Sequence, residues 1–437
     1  MQTYTHYKDS GIDWIGKIPE HWELEKIKYL GYIYPGLSGK KGDDFNKENF
    51  EGAKEFVPFT TICNFSQIKD ERFQYVKISP NEIQNKVEKN DLLFLMSSET
   101  LNDIAKSSVY LLDKSSYLNS FCKGFRITST KLNSIYTNYL ISSKNYRNYY
   151  ELCGRGFTRI NIKQEYINDT IITLPPIQEQ EAIANFLDEK TAKIDALVQT
   201  KEQQIEKLKE LRQAKIHQAV TKGLDANVPT KDSGVDWIGE IPAHWEVRRF
   251  GSFLTPYSQK NREYLQLLSI TREQGVIIRD IENFEENHNF IPDDLSGYKH
   301  VKSGQFAMNK MKAWQGSYGI SKYEGIVSPA YFIFDVLIDI NLDFFSLATR
   351  SKAYISFFGQ ASDGVRIGQW DLSIPRMKEI KFLLPPIQEQ EQIVVYLDEV
   401  TGKIDQAIAQ KQEQITKLKE YKQSLINEVV TGKVKVC

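Results

Sequence analysis

Apolar side chains recur at heptad spacing through two long proline-free stretches, residues 177–222 and 387–431. In the first, Leu187, Ile194 and Leu208 fall on one set of heptad positions and Val198 and Ile205 on the other; in the second, Leu397, Ile404, Leu418 and Leu425 alternate with Ile408, Ile415 and Val429. A stripe this narrow marks a seam between helices rather than a face turned to a broad core. The pattern therefore predicts two long helices packed through Leu187, Ile194, Val198, Ile205 and Leu208 on one side and Leu397, Ile404, Ile408, Ile415 and Leu418 on the other. Gly402 alone interrupts the helix formers, at a cost of about 1 kcal/mol. Each stretch opens behind Pro-Pro, which a first turn tolerates because its N–H groups lack partners anyway. Gly223 and Gly432 stand where helices commonly end. At 1.5 Å per residue each helix would be roughly 67 Å long. No small core covers that length, so the two should pair as a coiled coil, antiparallel, with one bulky unit at each end.

Lys201 and Lys411 fall on equivalent seam positions near the helix midpoints, among Gln199, Gln203, Gln410 and Gln414. Such a polar layer fixes register at some cost in stability. The alternative is that both lysines run out of a narrow seam to water.

The helical pattern is one part of a larger duplication, the signal to seek before any motif. Residues 8–23 (KDSGIDWIGKIPEHWE) recur as 231–246 (KDSGVDWIGEIPAHWE), and LPPIQEQE at 174–181 recurs at 384–391. The stretches between these elements share little identity. Near-identical frames around divergent inserts imply one scaffold doing the same job on two different targets, related by a pseudo-two-fold axis. The boundaries predicted are a first α/β (α+β) domain over 1–174, carrying repeat element 8–23; a helix within 175–222; a second domain over 223–384, carrying repeat element 231–246; and a second helix within 385–437. By the same symmetry, Ile12–Ile15 should dock near the end of the second helix and Val235–Ile238 near the end of the first, leaving the chain nearly circular.

The 437 residues are 41% hydrophobic and 26% charged, globular values for a chain of about two to four domains. No run of 18 apolar residues occurs, and the N-terminus has neither a basic nor an apolar leader pattern. Cys63, Cys122, Cys153 and Cys437 form no C-x-x-C pair, and the histidines form no zinc-binding spacing. These features predict a soluble protein of the reducing cytoplasm, without membrane, disulfide or metal. The formal net charge of −1 argues at first against nucleic acid. Divided by region it says otherwise: residues 24–174 hold 21 basic against 17 acidic side chains and residues 247–384 hold 17 against 15, so the inserts are basic and the frames acidic.

Catalytic patterns come up short. Gly36–Lys41 has the wrong spacing for a phosphate loop, and Gly154-Arg-Gly156 lacks the strand and ribose-binding acid of a dinucleotide site. Glu379-Ile-Lys381 with Asp371 resembles half of a nuclease metal site, but the first copy has Asp169 and Ile171 at the corresponding places, and strand alternation accounts for the pattern equally. The binding candidates are better. Each insert closes with a basic, glycine-containing loop, 154–160 with Arg155 and Arg159, and 359–367 with Arg366. Glycine allows close backbone approach and arginine bridges phosphate or guanine. Asn309, Lys310, Lys312, Trp314 and Gln315 follow a short apolar run in the second insert and offer amide, cationic and aromatic groups suited to base edges. Ser97 and Ser98 hold the corresponding place in the first. For each of these segments an ordinary polar turn is the competing explanation.

At these residues the chain resembles the specificity subunits of type I restriction-modification systems. The matching features are the duplicated Asp-Trp-Ile-Gly-x-Ile-Pro-x-His-Trp element, the duplicated Leu-Pro-Pro-Ile-Gln-Glu-Gln opening of a long helix, and the run from Asn309 through Trp314-Gln315-Gly316 to Ser328-Pro-Ala-Tyr331. The first insert lacks the last pattern. The resemblance implies two target-recognition domains, each reading half of a bipartite site in double-stranded DNA, with the helices as a spacer between them. It further implies partners: two modification subunits that use S-adenosylmethionine to methylate adenine, and restriction subunits that translocate and cut. S-adenosylmethionine, ATP and magnesium would belong to those partners, leaving this chain without a cofactor or catalysis of its own. A self-contained nuclease or methyltransferase, and a coiled-coil scaffold for proteins, are the competing readings.

Overall fold

The computed structural model describes residues 2–235, 238–280, 291–366 and 369–436. It forms two compact α+β units, Met1–Lys201 with Glu413–Cys437, and Glu202–Gln412. Asp236 and Trp237 of the second repeat element, and the Arg366 side chain, lie outside the described residues. The helices are α1 (Phe59–Asn64), α2 (Ser134–Ser142), α3 (Lys144–Cys153), α4 (Gln164–Asn168), the 46-residue α5 (Ile177–Lys222), α6 (Leu342–Thr349), α7 (Lys352–Gln360), α8 (Ile374–Glu379) and the 44-residue α9 (Ile387–Val430). None of them is long and apolar enough to cross a membrane.

In the first unit a five-stranded sheet runs in the order Gly31–Pro35, Cys122–Ile127, Leu92–Leu95, Ser107–Tyr110, Gln67–Ile68. Its central strand, Leu-Leu-Phe-Leu, is buried at every position, as an apolar run without alternation requires when both faces are covered. Asp91, just ahead of that strand, is buried as well. It accepts from the Tyr34 hydroxyl at 2.5 Å and from the Arg126 guanidinium at 2.8 Å, so the charge is paired and hydrogen-bonded. Glycine at 124 is what lets the Tyr34 ring lie across its strand: a Cβ there would stand 2.0 Å from Cζ of that ring.

The second unit has a four-stranded antiparallel sheet, Leu254–Tyr257, Tyr331–Val336, Phe306–Asn309, Tyr318–Ile320. Its core is aromatic. Phe250 stacks on Phe358 at 5.8 Å, and Phe345 meets Phe382 at 5.1 Å and Phe306 at 5.1 Å.

The duplicated motifs make the same joints inside each unit. The strand Glu23–Lys26 pairs with Ile171–Leu174 and sets Trp22 beside the first turn of α5. There the buried indole N–H donates to Glu179 at 3.1 Å, and His21 Nε2 lies 2.8 Å from the same carboxylate. Gln180, also buried, accepts from Asn133 N–H at 2.9 Å and donates to the carbonyls of Lys131 and Pro175, both at 2.8 Å. In the second unit Glu246–Arg249 pairs with Lys381–Leu384, Trp245 donates to Glu389 at 3.0 Å, and Gln390 accepts from Asn341 N–H at 2.9 Å. Gln-Glu-Gln is thus a two-pronged joint: the glutamate holds the His-Trp element, and the second glutamine holds the chain entering α2 or α6.

Helix ends complete each frame. Gly432 (φ +74°) follows α9 so closely against Pro19 that a Cβ would stand 2.3 Å from Pro19 Cδ, and Lys435 N–H donates to Gln2 at 2.8 Å, bringing the two chain ends together. The residues that meet the end of α9 include Pro19, Trp22 and Tyr7, whose hydroxyl donates to the Gly432 carbonyl at 3.1 Å. Trp14 of the repeat element stacks on Tyr149 of α3 at 5.2 Å, and in the second unit Lys222, the last residue of α5, donates to the Ile238 carbonyl at 3.1 Å, where docking near that helix end was expected.

Within the first unit Asp195 pairs with Lys422 at 2.7 Å and Lys201 with Gln414 at 2.7 Å, numbers rising along α5 and falling along α9. Within the second, Lys411 donates to Gln204 at 2.6 Å, and Arg212 stands in ion-pair contact with Asp405 at 3.1 Å without hydrogen-bond alignment. Neither seam lysine runs free to water; each reaches a glutamine of the opposite helix. Gln204 takes the place expected of Gln203. Leu187, Ile194, Val198, Ile205, Leu397, Ile404 and Ile415 are buried, with Leu208, Ile408 and Leu418 half-buried. Leu397 shares a cluster with Ile216 and Val220 of α5 and also with Trp245 and Phe250, because there the globular body of the second unit covers the first turns of α9.

Candidate nucleic-acid interface

Two segments far apart in the sequence meet in the first unit. Past the central strand, Ser97–Ser98 forms a short strand that pairs antiparallel with Ile160–Asn161, Ser97 opposite Asn161 and Ser98 opposite Ile160. The basic loop thereby becomes a hairpin anchored to the sheet. Arg155 and Asn161 exchange backbone hydrogen bonds of 3.0 and 2.8 Å across its base. Gly156 has φ +141°, and a Cβ there would lie 1.9 Å from the Arg159 carbonyl oxygen, so no other residue fits the tip.

The two arginines have different surroundings. Arg155 donates to the carbonyls of Leu152 and Gly154 at 2.5 and 2.7 Å and braces its own loop. The Arg159 guanidinium lies over the Phe121 ring, 4.6 Å from its centroid. Phe157, between them, is fully exposed. Neither Phe121 nor Phe157 stood out in the sequence; an aromatic residue inside a glycine-arginine turn was the available signal.

The second unit repeats the juxtaposition with other residues. Its central strand Phe306–Asn309 runs into a 3₁₀ turn, Ala313–Gln315, closed by left-handed Gly316. Beside it stands the hairpin Ser362–Arg366/Gln369–Leu372, whose Leu372 N–H donates to the Lys310 carbonyl at 3.0 Å. Lys310 pairs with Asp371 at 3.1 Å, and Trp314 stacks on half-exposed Trp370 at 5.5 Å with 28° between planes. Among the described residues no acceptor meets the Trp314 indole N–H. Lys312 is exposed and Gln315 half-buried.

Asn309 is a correction. It is 7% exposed, and its amide oxygen accepts from Met311 N–H at 3.1 Å. As the last residue of an interior strand it shapes the turn and does not face outward. Lys299 belongs in its place among the candidates. It donates to the Tyr331 carbonyl at 2.6 Å, and burial together with the nearby charges of Lys260 and Lys310 depresses its pKa.

The remaining catalytic hint comes apart on inspection. Glu379 pairs with Arg249 at 2.8 Å, Lys381 donates to the Gly234 carbonyl at 2.6 Å, and Asp371 is held by Lys310. Gly154 caps the end of α3 and opens no helix, so it cannot seat a pyrophosphate.

The model of the type I restriction modification DNA specificity domain matches residues 19–207 and 306–417. The type I restriction enzyme MjaVIII specificity subunit of Methanocaldococcus jannaschii is 27% identical over 96% of this chain and 94% of its own length. The EcoKI specificity subunit of Escherichia coli is 24% identical over 90% of this chain and 86% of its own. Among solved structures, a chain from a study of complex assembly and conformational transition in the type I R-M system aligns with a TM-score of 0.68 at 11% identity, over 95% of this chain and 99% of that one. The HsdS subunit of Thermoanaerobacter tengcongensis aligns at 0.50 and 14% identity, over 95% and 98%. These two likenesses are of fold.

Proposed function

The chain belongs to the type I restriction modification DNA specificity family, and from that membership we propose that it is the non-catalytic DNA-reading subunit of a cytoplasmic restriction-modification complex. Each unit reads one half of an asymmetric bipartite site. Helices α5 and α9 act as an antiparallel coiled-coil spacer with pseudo-two-fold symmetry, and the two alike frames dock two modification subunits, to which restriction subunits join. S-adenosylmethionine, ATP and magnesium reside on those partners. The observation that carries this reading is the repeated juxtaposition, in each unit, of the segment after the central strand with a basic hairpin: Ser97, Ser98 and Arg159 in one, Lys310, Lys312, Trp314, Gln315 and the Arg366 hairpin in the other. Two different side-chain sets on the same scaffold position are what two different half-sites require.

Mapping methylated adenines in the host genome tests this directly and reports both half-sites and the gap. A family of modified sites with a fixed gap is expected; methylation at continuous, symmetric sites would sink the proposal. Two variants refine it. Lys312→Ala should relax one half-site with the other unchanged, costing about 1–3 kcal/mol at that position, whereas a uniform loss with a shallower salt dependence would make Lys312 a phosphate contact. Inserting four residues after Gln203 lengthens α5 by about 6 Å and should change the permitted gap while both half-sites stay the same. An unaltered gap would refute the spacer role of the helices.

A further inference from the structure

We infer that Phe157 is an aromatic wedge that enters the base stack of the half-site read by the first unit, and that Arg159 holds the phosphate beside it. The inference rests on the DNA-reading proposal above and adds a residue and a mode of contact to it.

A phenylalanine side chain left wholly in water forgoes the stabilisation that burial of its apolar surface would supply. Phe157 is in that position, in the turn that the Arg155–Asn161 pair closes. The hairpin is also built to hold its tip still. Its base is closed by the paired backbone hydrogen bonds of Arg155 and Asn161, its outer strand is paired with Ser97–Ser98, Arg155 ties the turn to the end of α3, and Gly156 admits the backbone path only because it has no Cβ. A tip whose backbone is already held has less ordering entropy to lose on insertion.

The surroundings of the ring identify its partner. Arg159 lies on Phe121 within two residues of Phe157, so one turn carries an exposed apolar ring and an exposed cation. A base step offers the matching pair, an aromatic stack flanked by a phosphate, and proteins that kink DNA use apolar wedges in this way. Leu101, Phe121 and Leu152 are also exposed, and Leu101 lies against the hairpin at Gly154. That apolar margin alone would suit a protein surface. The cation beside the tip favours nucleic acid.

The test uses the full chain assembled with its modification subunits and a duplex carrying the mapped site. 2-Aminopurine is placed in turn at each purine of that half-site that is not methylated. Binding of the unaltered complex should raise emission at one step. Phe157→Ala should abolish that rise and weaken binding about tenfold with the salt dependence kept, while Phe157→Trp restores both. Arg159→Ala should instead flatten the salt dependence. Unchanged affinity and emission in Phe157→Ala would overturn the wedge, and so would loss of assembly with the modification subunits, which would make this tip a protein contact. If the unaltered complex fails to distinguish the mapped duplex from a scrambled one, the DNA-reading proposal itself falls.

Discussion

Replacing Trp22 by Ala should destabilise the first unit by about 3–5 kcal/mol, the usual range for deleting a buried indole, and leave the second unit near its original stability. Trp22 is wholly buried and is among the largest side chains of the core. Its loss opens a cavity between the repeat element and the first turn of α5, and takes from Glu179 one of the donors that hold it beside His21 and Tyr4. A cavity there cannot close easily, because Pro19 already lies so near Gly432 on its other side that a Cβ at 432 would stand 2.3 Å from it. Trp22→Phe should recover much of the packing and none of the hydrogen bond, separating the two contributions. Trp245→Ala should do the same to the second unit through Glu389. Urea unfolding followed by peptide-resolved hydrogen exchange reads both units at once. Equal loss of protection in the two would show that they unfold as one body; loss below about 1 kcal/mol would show that the joint is not a core.

Raising the pH past about 10 should unfold the protein, the first unit ahead of the second. Burial pushes the hydroxyl pKa of Tyr136, Tyr146 and Tyr150 well above the ordinary value, and that of Tyr149 up to about 12. Tyr34 is raised too, first by burial and then by the Asp91 carboxylate that accepts its proton. In the second unit Tyr318 and Tyr354 are held up by burial. The sign follows from linkage. Below about pH 10 these phenols are protonated whether folded or not, and stability is indifferent to pH on their account. Above it the unfolded chain ionises and the folded one does not, so each such tyrosine removes about 1.4 kcal/mol of stability per pH unit until its folded pKa is reached. Several act together in the first unit, which makes its decline steep. Urea midpoints measured from neutral pH upward, with tyrosinate absorbance recorded alongside, should stay level and then collapse as the absorbance rises. Tyr146→Phe should reduce the slope by one group's share; an unchanged slope would remove that tyrosine from the set.

The two long helices were legible because their evidence is local. Heptad spacing, the absence of proline and the closing glycines all lie within the segment they describe, and α5 and α9 begin at Ile177 and Ile387, immediately after Pro-Pro. The joints of the frame were legible as a duplication but not as contacts. Nothing in Gln-Glu-Gln or His-Trp says that Glu179 and Trp22, 157 positions apart, share a hydrogen bond. The site was legible only as segments. Glycine, arginine and amide content singled out two stretches in each insert that the fold brings side by side, but it did not sort single residues by their surroundings. Asn309 is turned inward by its place at the end of an interior strand, Arg155 is occupied by its own loop, and Phe157, which no motif marks, is wholly in water.

What the sequence by itself determined, then, is the scaffold: two copies of one frame, two helices of known extent, a basic insert in each. Those follow from periodicity and repetition, which need no knowledge of the rest of the chain. What only the tertiary structure decided is which side chains each insert presents. Pairing between Ser98 and Ile160, or between Lys310 and Leu372, joins strands some sixty residues apart in sequence. A shift of one residue in such a pairing would exchange every inward side chain for an outward one. The face offered to a partner is therefore set by long-range register, and a register is a property of two segments together.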